Sequence, residues 1–294
     1  MPQTAIISRR ALENLDKTVY TPRKEILKAR SLFGSYKVPA GTKVYTYQTM
    51  TARGAARVLA NRGTDIPLVD ADMQEASQKI ITFALGINYS LDEVQQAQLA
   101  GVNLDSTQAA AVNRGLADFE DQLVFTGNDD AGIPGMTNIA GMQNFAMSTA
   151  LTDGKGNTND PKVLLNELKD AKQQITQLSG YADVKPVLAL PQAAYDALDV
   201  PYNDYQPTTL IQLLQSRGWF SQITVVNELK GADNKKDMAM VFDNSPVTAQ
   251  ILDAQPITRQ QTEYRNMTYT IPYSEQCGGL ICRVPEAFVK VTGI

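Results

Sequence analysis

Apolar positions recur at helical spacing most clearly between residues 105 and 126, where Val112, Leu116, Phe119 and Leu123 are separated by four, three and four. That spacing places the four on one face of a helix running to about Phe125, roughly 30 Å long at about 1.5 Å per residue. Asp105 stands where a cap would accept free backbone N–H groups, with Gln108 three residues on as in a capping box. Asp118, Glu120 and Asp121 are interleaved with the apolar stripe, so the helix is half dry and half wet or interfacial. Gly127 stops it, and the glycine-rich turn Gly132-Ile-Pro-Gly135 brings the chain back. From the pattern alone this is a half-buried helix followed by a tight turn.

The other segments fall into place around this helix. Residues 1–33 are mixed polar and basic, with Pro22 breaking a weak helical pattern, so they form an arm that lies over something else. The β-branched and aromatic run 43–50 (KVYTYQTM) predicts a strand. A second is predicted at 77–89, where Ile81, Phe83, Leu85, Ile87 and Tyr89 alternate with smaller residues. Between them, residues 51–67 carry Arg53, Arg57 and Arg62, two glycines and a proline. The expectation is an extended hairpin with a basic tip. A hairpin of that length is marginal alone in water, so it rests on a neighbouring subunit or folds back on its own domain.

Ser90-Leu-Asp-Glu93 is a capping box opening a short helix that Gly101 ends. The polar loop 152–160 reads as a boundary between two lobes. Asp160-Pro161 starts a helix whose stripe is Leu164, Leu168, Ala171, Ile175 and Leu178, closed by Gly180. Residues 186–190, 222–226, 238–242 and 247–252 are compact apolar runs suited to strands of a central sheet, with short helices from Pro191 and over 208–217. Strands that alternate with helices and then follow one another directly indicate an α+β or mixed α/β lobe.

Length allows one large or two intertwined domains. No apolar run is long enough to cross a membrane and no signal segment opens the chain, so cytosolic synthesis is the default. Histidine is absent, which removes the commonest general base and the usual zinc ligand. Cys277 and Cys282 make neither a zinc site nor a disulfide framework and read as small core residues. The net charge of −4 is unevenly placed: residues 1–43 hold nine Lys/Arg against three acids, a balance of +6, which leaves −10 for the rest. A basic arm on an acidic body suits contacts with neighbours in an oligomer, or a solvated tail.

Catalytic readings fail on geometry. Asp129 and Asp130 are hard oxygen ligands, but adjacent carboxylates point different ways and the spacing is not that of a calcium loop. Glu120 and Asp121 are neighbours in a helix and do not face one another. Gly132–Gly135 lacks the lysine and hydroxyl of a phosphate loop, and no basic–aromatic module for reading nucleic acid is present. No enzyme and no cofactor is expected.

The run FEDQLVFTG (119–127), then a short polar insert, then GIPGMTN (132–138) resembles the spine helix and following loop of tailed-bacteriophage major capsid proteins of the Hong Kong 97 fold. Encapsulin shells share that fold and a similar signature. The closing segment CGGLICRVPEAFVKVTGI (277–294) resembles the last strands of the same proteins. The resemblance implies an α+β fold with an N-terminal arm (1–42), an extended loop with flanking strands (43–89), a peripheral domain with the spine helix (90–151), an axial domain with a central mixed sheet (152–255), and strands 256–294 returning to the peripheral domain. It implies a structural protein whose partner is itself, in pentamers and hexamers forming an icosahedral shell around double-stranded DNA held without sequence specificity. Separate scaffolding, portal and decoration proteins are possible partners. Many relatives carry a scaffolding or targeting segment before the arm; since the chain begins at Met1, any scaffold is expected to be a separate protein. Encapsulins typically begin with a helix lining a cargo pocket, which the irregular arm here does not match. Some relatives join a lysine on the extended loop to a neighbour's asparagine; residues 51–67 contain no lysine, so that cross-link lacks its nucleophile. A metal-dependent hydrolase is a third, remote reading.

Overall fold

The computed structural model describes residues 24–53, 70–100, 105–151, 158–203, 205–233 and 235–294. The chain enters with a short helix α1 (Ala29–Leu32) and strand β1 (Ser35–Lys37), then a two-stranded ribbon of β2 (Val44–Arg53) and β3 (Asp70–Lys79). Strand β4 (Ile81–Ser90) leads into α2 (Leu91–Ala100), whose start is a true capping box. The Ser90 amide donates to Glu93 Oε2 at 2.9 Å and the Glu93 amide to Ser90 Oγ at 3.2 Å. The long helix α3 covers Asp105–Phe125. Strands β5 (Gly127–Asn128) and β6 (Ile133–Pro134) form a tight hairpin directly after it, followed by β7 (Gln143–Ala146).

Helix α4 (Pro161–Thr176) starts where Asp160 accepts from the Lys162 amide at 2.9 Å, with Pro161 as its first residue. It ends before Leu178, so the last member of the expected stripe lies in the following turn. Then come β8 (Val187–Leu190), α5 (Gln192–Ala197), β9 (Pro201–Asn203), β10 (Gln206–Thr209), α6 (Leu210–Arg217), β11 (Gln222–Val225) and β12 (Ala239–Phe242). The chain closes with β13 (Ala249–Arg259), β14 (Glu263–Arg265), β15 (Thr268–Cys282) and β16 (Phe288–Thr292).

Two five-stranded sheets take most of these strands, while β2–β3, β5–β6 and β9–β10 pair by themselves. In the first, β15 is central, with β4 antiparallel along one edge, β13 and β14 along the other, and β1 parallel to β13. In the second, the order is β11-β8-β12-β16-β7 with mixed directions. Both faces of the second sheet are covered, and alternate residues serve two cores. Leu188, Leu190, Val241, Val289 and Val291 pack with Leu164, Leu168, Ile175 and Leu214 of α4 and α6. Val187, Met240, Phe242 and Phe288 face Leu123, Val124 and Phe125 at the end of α3. Coverage on both sides explains why these strands read as unbroken apolar runs.

Three expectations are corrected. The strand returning from the hairpin is Asp70–Lys79, in register from Val44↔Lys79 to Arg53↔Asp70, and not 77–89. Its sequence, DADMQEASQK, has no period-two apolar signal because residues 73–77 are all exposed, as on a ribbon with both faces wet. The alternation at 81–89 belongs to β4, one face of which packs on α3. The run 247–252 is not in the central sheet but opens β13 of the first, where Ile251 and Leu252 are buried on opposite sides. The closing segment also divides: β15 stays in the first sheet, while β16 joins the second. Burial on both faces makes a strand look central wherever it pairs, and local pattern does not say which sheet it joins.

Candidate functional site

The four spine positions separate along α3. Val112 and Leu116 are buried with Ile87, Tyr89, Ile271 and Tyr273 against the first sheet. Phe119 is half-buried, its ring 4.7 Å from that of Phe83. Leu123 reaches the core beneath the second sheet. One helix therefore packs against both sheets.

The turn behind it tolerates only glycine at two points. A Cβ on Gly127 would stand 2.4 Å from the Gly135 amide nitrogen, and one on Gly135 would stand 2.2 Å from the Gly127 nitrogen. Gly127 and Gly132 also have φ of +80° and +67°, where a side chain is strained.

Among the described residues, the β2–β3 ribbon is anchored at its root. The Tyr47 hydroxyl donates to the Cys282 carbonyl at 2.9 Å, and buried Gln78 Nε2 donates to the Gly278 carbonyl at 2.8 Å. Tyr45 and Tyr47 lie against Ile80, Leu252 and Ile281, and the Tyr36, Tyr45 and Tyr47 rings follow one another at 5.4 and 6.3 Å. The Arg283 guanidinium stands 5.8 Å from the Tyr36 ring. Beyond Tyr47 the ribbon continues for residues 48–53 and 70–75, about 20 Å at about 3.3 Å per residue. There Met50 and Met73 sit opposite one another, 63% and 67% exposed. Of the expected basic tip, Arg53 ends β2, while Arg57 and Arg62 lie outside the described residues.

A second constellation lies where residues 24–33 cross α3. Asp121 Oδ1 accepts from the Lys28 and Ala29 amides at 2.9 and 2.8 Å. Its neighbour Glu120 points elsewhere and takes the Arg30 guanidinium in two contacts, Nε to Oε2 at 2.9 Å and Nη2 to Oε1 at 2.8 Å. Arg30 also stands 3.5 Å from both Asp253 and Glu275. The Arg114 guanidinium donates to the Glu25 carbonyl and pairs with Asp118 at 2.6 Å, fixing the strap further out.

Burial governs the electrostatics of this crossing. Glu275, 1% exposed, is pushed up to about 7, first by desolvation and then by the Glu120 charge, with Arg30 opposing. Asp121 and Glu228, hydrogen-bonded to each other, are both raised, chiefly by desolvation. Arg30 is raised by its hydrogen bond to Glu120. Cys277 and Cys282 are free thiols pushed up to about 12 by burial, which keeps them protonated and inert.

Sequence reasoning missed this crossing. It read Glu120 and Asp121 correctly as facing apart, yet their partners lie 90 residues and more away, and nothing local marks Arg30. Among the described residues, no helix is long and apolar enough to cross a membrane.

Two sheets bridged by one long helix, with a root-anchored ribbon and a strapped N-terminal segment, define the shell-protein class of the Hong Kong 97 fold. The chain belongs to the family described as "Major capsid protein", whose model matches residues 54–294. In fold it is similar to the capsid of Myoviridae phage XM1, at 15% identity and a TM-score of 0.83, covering 98% of this chain and 99% of that one. It is also similar to a structure from Mycobacterium phage Adephagia, at 17% identity and 0.64 over 98% of both chains. A virus-like particle from Pyrococcus furiosus gives 14% identity and 0.60, covering 89% of this chain and 90% of that one. No curated protein matches the chain.

Proposed function

We propose that this major capsid protein builds the head shell of a tailed bacteriophage, its copies forming pentamers and hexamers that close around double-stranded DNA. The observation that carries this reading is the β2–β3 ribbon. Its outer part holds an exposed methionine pair and, among the described residues, pairs with no third strand, a surface that a neighbouring copy covers. Closed shells need such repeated, self-complementary contacts. The match to a phage capsid at a TM-score of 0.83, over nearly the whole of both chains, supports the phage-head reading over an encapsulin-type compartment.

Expressed alone or with a scaffold, the protein should sediment as capsomers, sheets or shells, and filled particles should protect DNA from nuclease. A monomer at every concentration and ionic strength, with scaffold present, would overturn the proposal. Because residues 51–67 hold no lysine, particles boiled in detergent should run as single chains near 32.1 kDa. Covalent ladders would show that a nucleophile elsewhere takes over that role.

A further inference from the structure

Beside Arg30 lies a cavity of about 340 Å³, within the size range of small-ligand sites, whose lining includes Leu27, Ala117, Pro256 and Ile257 as well as Glu120 and Glu275. Apolar residues thus flank a charged floor of Arg30, Glu120, Asp121 and Glu275 in a partly open cavity. Three carboxyls, Glu120, Asp253 and Glu275, surround the single guanidinium of Arg30. With all of them ionised the group carries −2. Arg30 commits its two short contacts to Glu120, so Glu275 receives only a 3.5 Å approach at Oε1, and its Oε2 has no hydrogen-bond partner among the described residues. A buried carboxylate oxygen left this way is costly, and a cationic donor reaching it from the cavity removes the cost.

We propose that this cavity is a socket for a second, organic cation: an ammonium or guanidinium group on an alkyl stem, supplied in the assembled shell by a lysine or arginine of a neighbouring copy. The stem lies along the apolar walls while the charged head reaches Glu275, as long basic side chains do when they cover apolar surface. A divalent metal fits less well, since it asks for several converging oxygen ligands. Among the described residues no group of three or more His, Cys, Asp or Glu side chains is arranged to hold one. The charged or titratable groups at the crossing are Arg30 from the strap, Glu120 and Asp121 from α3, Asp253 from β13, and Glu275 and Cys277 from β15. The chemical class rests on the cavity alone, whereas the neighbouring copy as its source rests on the shell reading.

The test is calorimetric titration of butylguanidinium chloride into the full-length protein at pH 8, with sodium chloride at matched ionic strength as the control. Dissociated subunits should bind one equivalent per chain, and closed shells, already supplied by a neighbour, should not. Shells that bind as well as subunits would overturn the neighbouring copy as source and leave a free cation, such as a polyamine, in its place. Glu275→Gln, which keeps the shape and the Arg30–Glu120 pair, and Ala117→Met, which fills the wall, should each weaken binding at least tenfold while the far-ultraviolet spectrum stays unchanged. No saturable binding to subunits, or unchanged affinity in either variant, overturns the socket. If no shell ever forms, the assembly reading fails while the subunit titration still decides the socket.

Discussion

Glu275 is 1% exposed and shares its surroundings with two other carboxyls, so folding forces a choice between losing its charge and enduring repulsion. Its folded value of about 7 against an ordinary 4.5 means that the native state binds the proton more tightly than the unfolded chain. Stability from this group is therefore full below about pH 4.5 and is lost as pH rises through about 7. The change amounts to roughly 3 kcal/mol, at about 1.36 kcal/mol per pKa unit. Glu275→Gln should remove that slope: in urea titrations of dissociated subunits, the variant should exceed the parent above pH 7 and converge on it near pH 4.5. A variant with the parent's pH profile would place the titration elsewhere, Asp121 and Glu228 being the next candidates since burial raises both. Single positions matter for backbone reasons as well. Gly127 and Gly135 let two chain segments touch where any side chain would collide, and Met267, exposed with φ of +60°, holds a hairpin turn that glycine would adopt without strain.

Among elements, the ribbon depends on few attachments, and Tyr47 joins two of them, a hydrogen bond to Cys282 and packing under β2. Tyr47→Ala should loosen the root by about 1–2 kcal/mol, from one hydrogen bond and part of an aromatic face. Hydrogen exchange at residues 44–53 and 70–79 should accelerate, while β8 and β12 keep their protection. Equal acceleration throughout would mean that Tyr47 supports the whole fold instead. This contrast also bears on what the sequence reveals. Helices α3 and α4 are legible because an apolar stripe and an end signal lie within a few turns of each other, as at Asp160-Pro161. The hairpin is legible as a hairpin, but β3 is hidden because an element wet on both faces has no apolar period. The destinations of 247–252 and 288–292 are hidden for the opposite reason, burial on both faces, which suits either sheet. The crossing at Arg30 joins residues 90 and 223 positions apart, and its carboxylates look in sequence like an ordinary wet helix face.

At the scale of the whole molecule, charge is the property that one copy offers another. The chain is −4 overall, with +6 in residues 1–43 and −10 in the remainder, a balance that suits contact between a basic segment of one copy and acidic surface on a neighbour, or a solvated tail. The sequence adds Arg53, Arg57 and Arg62 within ten residues; Arg53 ends β2, and among the described residues the side-chain hydrogen bonds from the ribbon to the rest of the subunit lie at its root. Guanidinium groups match carboxylates in bidentate geometry, so a tip laid across an adjacent acidic subunit gains charge-assisted hydrogen bonds. Each exposed pair is worth only about 0–1 kcal/mol, but closure repeats the contact at every subunit. Changing Arg53, Arg57 and Arg62 together to Ser should leave subunit unfolding unchanged, since the ribbon root and both cores lie elsewhere. It should, however, lower the temperature and the denaturant concentration at which shells come apart, and flatten the dependence of shell stability on salt, because exposed ion pairs are screened within about 10 Å at 0.1 M. Shells of the triple variant that resist heat, denaturant and salt as well as the parent's would reduce these arginines to a solubilising role. The cohesion would then have to come from the strap, from the methionine pair on the ribbon, or from a separate decoration protein.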